Sequence, residues 1–112
     1  MNYRLIFTAQ FDRDLKALRK HNPGLREDFE AFIKTFDAEI HPIIPRTSGA
    51  RKARVPAKGR GKRGGYRMIY YLVKGNTVWL ITMYDKVQKQ NLSPAEEKAV
   101  NQVIQKIKED AP

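Results

Sequence analysis

Tyr66–Tyr84 reads YRMIYYLVKGNTVWLITMY, two runs rich in aromatic and aliphatic residues on either side of Gly75-Asn76. Such runs form strands, and a Gly-Asn pair between them signals a tight hairpin. A two-residue turn sets the register: Leu72 opposes Trp79, Met68 opposes Met83 and Arg67 opposes Tyr84. Side chains alternate along a strand, and cross-strand partners point to one side. One face then carries Met68, Tyr70, Leu72, Trp79, Ile81 and Met83, apolar enough to lie under helices. The other carries Arg67, Ile69, Tyr71, Val78, Leu80, Thr82 and Tyr84 and is partly open. Lys86, two residues further on, joins it, so two cations and a phenol converge there.

Working outward, Tyr3–Thr8 (YRLIFT) reads as an opening strand. Thr8 can cap a helix to about Lys20, with Phe11, Leu15 and Leu18 along one side. Asn22 as N-cap and Pro23 at the first helical position predict a second helix, from Pro23 to about Ile40. Its apolar stripe is Leu25, Phe29, Phe32, Ile33, Phe36 and Ile40. His41-Pro42 and Pro45 stop it. Ala50–Pro56 alternates well enough for an edge strand, and Gly59, Gly61, Gly64 and Gly65 predict a mobile basic loop after it. Ser93, Pro94 and Glu96 form a capping box for a last helix, with Ala99, Val100, Val103, Ile104 and Ile107 as its apolar stripe. The expected fold is α+β in the order βααβββα: a small, antiparallel-rich sheet of about four strands, an N-terminal helical hairpin and a C-terminal helix, one domain over residues 1–112.

The net charge of +10 is concentrated in one block. Residues 1–39 hold 7 basic and 7 acidic side chains, and residues 85–112 hold 5 of each. Residues 40–84 hold 10 Lys and Arg and no acid. Segregation of this kind points to a polyanionic partner, with nucleic acid first. No apolar run approaches the roughly 18 residues that span a bilayer. The N-terminus lacks the apolar core of a signal peptide, and with no cysteine there is neither a disulfide framework nor a thiolate nucleophile. A cytoplasmic protein without a membrane partner is expected.

The chain has no GxSxG, HExxH, P-loop or EF-hand pattern. Its acids sit on helices among compensating cations, so neither a metal site nor a cofactor is expected. His21 and His41 fall at helix ends, where histidines are usually solvated or interact with the helix terminus, and neither is expected to be catalytic. What remains is Arg, Lys and Tyr. Arginine grips phosphate with a fixed fork, lysine adds a point charge, and tyrosine stacks on a base or exchanges a proton. Such a set can hold a scissile phosphate and stabilise its transition state, while the 2′-hydroxyl of RNA serves as an internal nucleophile. A nucleic-acid surface without chemistry, with Arg67 and Tyr84 an ordinary cross-strand pair, stands beside that reading.

The segments KGRGKRGGYRMIYY (Lys58–Tyr71) and MYDKVQKQNLSPAE (Met83–Glu96) carry a resemblance. With YRLIFTAQFDRDL near the N-terminus, most of the chain resembles the RelE/HigB superfamily of toxins from bacterial toxin–antitoxin modules, most nearly in style the HigB-type branch. The resemblance implies a ribosome-dependent mRNA endoribonuclease that works through the RNA 2′-hydroxyl and inhibits translation. Its partners would be mRNA, the ribosome and a cognate antitoxin, commonly a helix-turn-helix DNA-binding protein. It places the phosphate-contacting arginine on Arg67, a basic pair of the preceding strand on Lys58 and Arg60, and a cation after the last strand on Lys86, with Tyr84 beside it; Lys58, Arg60 and Arg67 would position and neutralise the phosphate, and Lys86 and Tyr84 would assist proton transfer. Arg54, Lys62, Arg63 and Lys89 would track RNA. The tyrosine that some relatives carry further on would fall near Leu92, and Asp85 beside Lys86 is a second departure. A related toxin type, ParE, inhibits DNA gyrase without enzymatic action. That activity and a non-catalytic RNA- or ribosome-binding module are the alternatives.

Overall fold

The computed structural model describes residues 2–58 and 65–110. Its elements are β1 (Arg4–Phe7), α1 (Ala9–His21), α2 (Leu25–Lys34), β2 (Arg51–Pro56), β3 (Gly65–Val73), β4 (Thr77–Asp85) and α3 (Pro94–Asp110). The sheet runs β1-β4-β3-β2, with β1 parallel to β4 and the other pairs antiparallel. This is the expected α+β order, with β2 at the edge as anticipated.

The hairpin departs from expectation twice. Val73 opposes Thr77, so the loop is the three residues Lys74, Gly75 and Asn76 rather than a two-residue turn. Lys74 and Gly75 both take positive φ, at 41° and 81°, which glycine accepts without a Cβ penalty. From Val73 to Tyr70 every partner is one residue out of the expected register. A bulge between Ile69 and Tyr70 then gives β4 an extra residue, Ile81. The two offsets cancel, and Arg67 opposes Tyr84 as expected.

Between the loop and the bulge, however, the β4 faces are exchanged. Val78 and Leu80, expected on the open face, are fully buried against Phe11, Leu25, Phe29 and Tyr70 under α1 and α2. Ile81, expected under the helical hairpin, packs instead with Ile69, Tyr84, Val100 and Ile104. That second cluster lies under α3, so the face expected to be partly open is covered. The capping box forms as read, with Glu96 N–H on Ser93 Oγ at 3.1 Å and Ser93 N–H on Glu96 Oε1 at 2.8 Å.

β1 is short and pairs only with Thr77–Leu80, and beyond the Thr8 hydroxyl, which donates to Ile81 O at 3.0 Å, the edge of β4 has no strand partner. α1 closes part of it. The Asp14 carboxylate accepts from the Thr82 hydroxyl at 2.5 Å and from Met83 N–H at 3.2 Å, where a neighbouring strand would otherwise pair.

The second helix also differs. Asn22 ends α1, its N–H on Leu18 O at 3.0 Å, and its amide donates to the Tyr66 hydroxyl at 2.9 Å; Gly24 holds the N-cap position of α2. α2 stops at Lys34, not Ile40. The cause is tertiary: Ala38 N–H donates to the Tyr3 hydroxyl at 3.0 Å, and the Tyr70 hydroxyl donates to Ala38 O at 2.7 Å. These bonds fix the backbone outside the helix and bury Phe36 and Ala38, while Ile40, expected on the apolar stripe, is 71% exposed. The same turn carries His41 round to the end of the sheet.

Candidate functional site

β2 and β3 turn Arg54 and Arg67 to the same side, directly opposite one another, and Tyr84 of β4 completes the row. Arg67 starts with its backbone in the middle of the sheet, so its guanidinium must travel through packed surroundings. The residue is only 9% exposed, and Nη1 is buried with no hydrogen-bond partner. Burial lowers the Arg67 pKa from its ordinary value, the Arg54 cation lowers it further, and Tyr84 works against both. Arginine starts so high that the group stays charged near neutrality.

Arg67 lines a cavity of about 530 Å³ together with His41, Pro42, Lys52, Arg54, Lys86, Gln90 and Asn91. Among the described residues no carboxylate lines it. Lys52 lies two residues before Arg54 on β2 and hydrogen-bonds to Asn91 Oδ1 at 3.0 Å, joining that strand to the loop after β4. A concave wall carrying Lys52, Arg54 and Lys86 around an under-satisfied guanidinium is suited to an anion such as a phosphodiester.

The expected residues divide around this cavity. Arg67, Lys86 and Arg54 meet in it. Tyr84 does not line it, although its register opposite Arg67 is as read. The phenol is buried and its hydroxyl donates to Gln90 O at 3.3 Å. Burial raises its pKa, with Arg67 opposing and Glu96 assisting. Lys89 lies on another side, ion-paired with Glu96 and with its ammonium 4.9 Å from the centre of the Tyr84 ring. That pairing, more than any other contact, holds the Glu96 carboxyl below its usual range.

β2 ends at Pro56, so Lys58 is not on the strand before β3. It is exposed, with its N–H on Asp28 Oδ2 at 3.2 Å. Arg60, Lys62 and Arg63, and the loop expected around them, lie outside the described residues. The β2 cations that face the cavity are Lys52 and Arg54. Lys52 was legible, because alternation puts it beside Arg54. His41 was not, since a histidine after an expected helix end carries no signal of where the chain turns.

A second cleft, of about 490 Å³, shares Pro42, Lys52 and Asn91 with the first and adds Ile43, Ile44, Pro45, Leu92 and Tyr84 to its wall, with the Arg46–Glu97 ion pair. Apolar surface thus adjoins the cationic cavity.

The family model for the RelE toxin of the RelE/RelB toxin–antitoxin system matches residues 46–110. The chain belongs to the RelE toxin family. The match takes in β2, the hairpin and α3, and with them Lys52, Arg54, Arg67, Lys86, Gln90 and Asn91; it stops short of His41 and Pro42. Among solved structures, the chain is similar to an arginine-to-alanine double mutant of the E. coli toxin RelE in the free state. The identity is 20%, with 94% of this chain and 98% of that chain covered and a TM-score of 0.47. As a RelE-family toxin the protein is one half of a toxin–antitoxin pair. No helix among the described residues is long and apolar enough to cross a membrane.

Proposed function

We propose that this RelE-family toxin, of the HigB-type branch, is a ribosome-dependent mRNA endoribonuclease that acts in the cytoplasm and is neutralised by a helix-turn-helix antitoxin. The observation that carries the reading is the Arg67 guanidinium, charged, buried and under-satisfied, in a cavity walled by Lys52, Arg54 and Lys86. Arg67 holds the scissile phosphate, and Lys52 and Arg54 neutralise charge that develops on its oxygens. The attacking group is the 2′-hydroxyl of the RNA itself. Lys86 protonates the departing 5′-oxygen. Lys58 and Arg60 help neutralise the phosphate, and Lys62, Arg63 and Lys89 track RNA. Tyr84, buried beneath α3, positions the loop that carries Gln90 and Asn91 through its bond to Gln90 O.

The test is cleavage of an mRNA programmed into ribosomes, with RNA ends mapped for the wild type and for Arg67→Ala, and with purified antitoxin as control. The wild type is expected to cut and the variant to lose about 100-fold or more of the rate. Equal cleavage by both sinks the assignment of Arg67. Growth arrest with DNA damage and intact mRNA would move the protein to gyrase inhibition. Salt-sensitive ribosome binding without scission would make it a binding module.

A further inference from the structure

His41 is held more firmly than a solvated histidine requires. Arg51 Nη1 donates to Glu39 O at 3.1 Å and to His41 O at 2.8 Å, clamping the backbone on either side of Ile40. The ring stacks on Phe36 (centroids 5.6 Å apart, planes 16° from parallel) and meets the Tyr70 ring edge to face at 6.2 Å. Phe32 closes a third side at 6.5 Å. Three aromatic rings therefore fix the imidazole plane, and the remaining side is the cationic cavity. Among the described residues no hydrogen bond occupies either ring nitrogen.

The other titratable groups lining that cavity, Lys52, Arg54, Arg67 and Lys86, are cations. A cation that steadies a phosphate has no lone pair to receive a proton, and the Tyr84 phenol is buried with its own proton committed to Gln90 O. Resting on the nuclease reading above, we propose that His41 is the general base of the reaction, its imidazole taking the 2′-hydroxyl proton of the nucleotide whose 3′-phosphate Arg67 holds. The 2′-oxygen then bonds to phosphorus and the P–O5′ bond breaks, its electron pair passing to O5′. Lys86 delivers a proton there. The products are a 2′,3′-cyclic phosphate and a 5′-hydroxyl, and proton exchange with water restores His41 and Lys86. No oxidant or co-reactant is needed.

The environment favours the neutral, proton-accepting imidazole. Burial lowers the His41 pKa and the Arg51 cation adds to this, while the Asp37 carboxylate opposes them. Lys52, Arg54, Arg67 and Lys86 are the charged groups on the cavity side. Tyr70, on the packed side, has its hydroxyl bound to Ala38 O.

Single-turnover cleavage of ribosome-programmed mRNA tests the assignment with two variants. His41→Phe preserves the ring packing and removes the base; its rate is expected to fall about 100-fold or more, with ribosome affinity unchanged. His41→Ala is expected to regain rate when free imidazole is added. The wild-type rate should fall about tenfold per pH unit below the His41 pKa, as measured by NMR. The chain has only 2 histidines, so His21→Gln assigns the signal. A His41→Phe protein within about threefold of wild type and with the same pH profile overturns the proposal and leaves Arg67 in place. A wild type that leaves mRNA whole overturns the nuclease reading, and the base assignment with it.

Discussion

Replacing Arg67 with methionine should make the fold more stable while abolishing cleavage. Methionine follows the aliphatic stem of arginine and fills irregular space, so packing is largely kept. What disappears is a buried N–H with no acceptor and a like-charge opposition to Arg54 across the β2–β3 pair. A buried unsatisfied donor costs about 1–3 kcal/mol, and directly opposed like charges add a few tenths. Allowing for packing lost at the tip, the expected gain is about 1–2 kcal/mol. For a domain of this length that raises Tm by about 4–8 °C. Salt supplies an independent check. Screening weakens the Arg54–Arg67 repulsion, so added salt should stabilise the wild type more than the variant. Thermal unfolding by circular dichroism at low and high ionic strength measures both effects. A variant destabilised by more than about 1 kcal/mol would show that the fold satisfies the guanidinium, and the argument that it is held for a ligand would fail.

Three further outcomes follow from the same contacts. Tyr70→Phe leaves the Ala38 carbonyl without its donor and should cost about 1–3 kcal/mol in urea denaturation, with amide exchange fastest in residues 35–41. Asp14→Ala exposes the β4 edge beyond β1; a loss of about 1.5–3 kcal/mol is expected, with the Met83 amide losing protection, and unchanged Met83 exchange would rule out the edge-closing role. Because burial lowers the His41 pKa in the folded state, the unfolded chain takes up its proton first. The stability it supports is therefore present above the ordinary value of 6.5 and lost as pH falls through the lowered one. His41→Phe should remove that part of the acid sensitivity in denaturation series run between about pH 8 and about pH 5.

Much of the site could be read locally. Alternation places Lys52, Arg54 and Arg67 on one side of their strands, and the concentration of basic residues in 40–84 points to a polyanionic partner. The Arg67–Tyr84 register agreed for a reason the reading did not contain. A three-residue loop displaced the strands by one position, and the Ile81 bulge displaced them back. Periodicity cannot detect two offsets that cancel at one end of a hairpin while exchanging the faces between them.

What the sequence determined by itself is the order of elements, the two clear strands, the Ser93 capping box and the cationic character of the candidate site. These follow from short-range properties: side-chain alternation, turn-forming residues and the sign of charge. Tertiary structure decided where α2 stops, which sheet face α3 covers, that Tyr84 is buried away from the cavity, and that His41 reaches it. Each of those depends on bonds between residues distant in sequence, such as Tyr3 and Tyr70 on Ala38 or Arg51 on His41. A backbone group chooses between its own helix and a remote hydroxyl only once the chain has brought the two together.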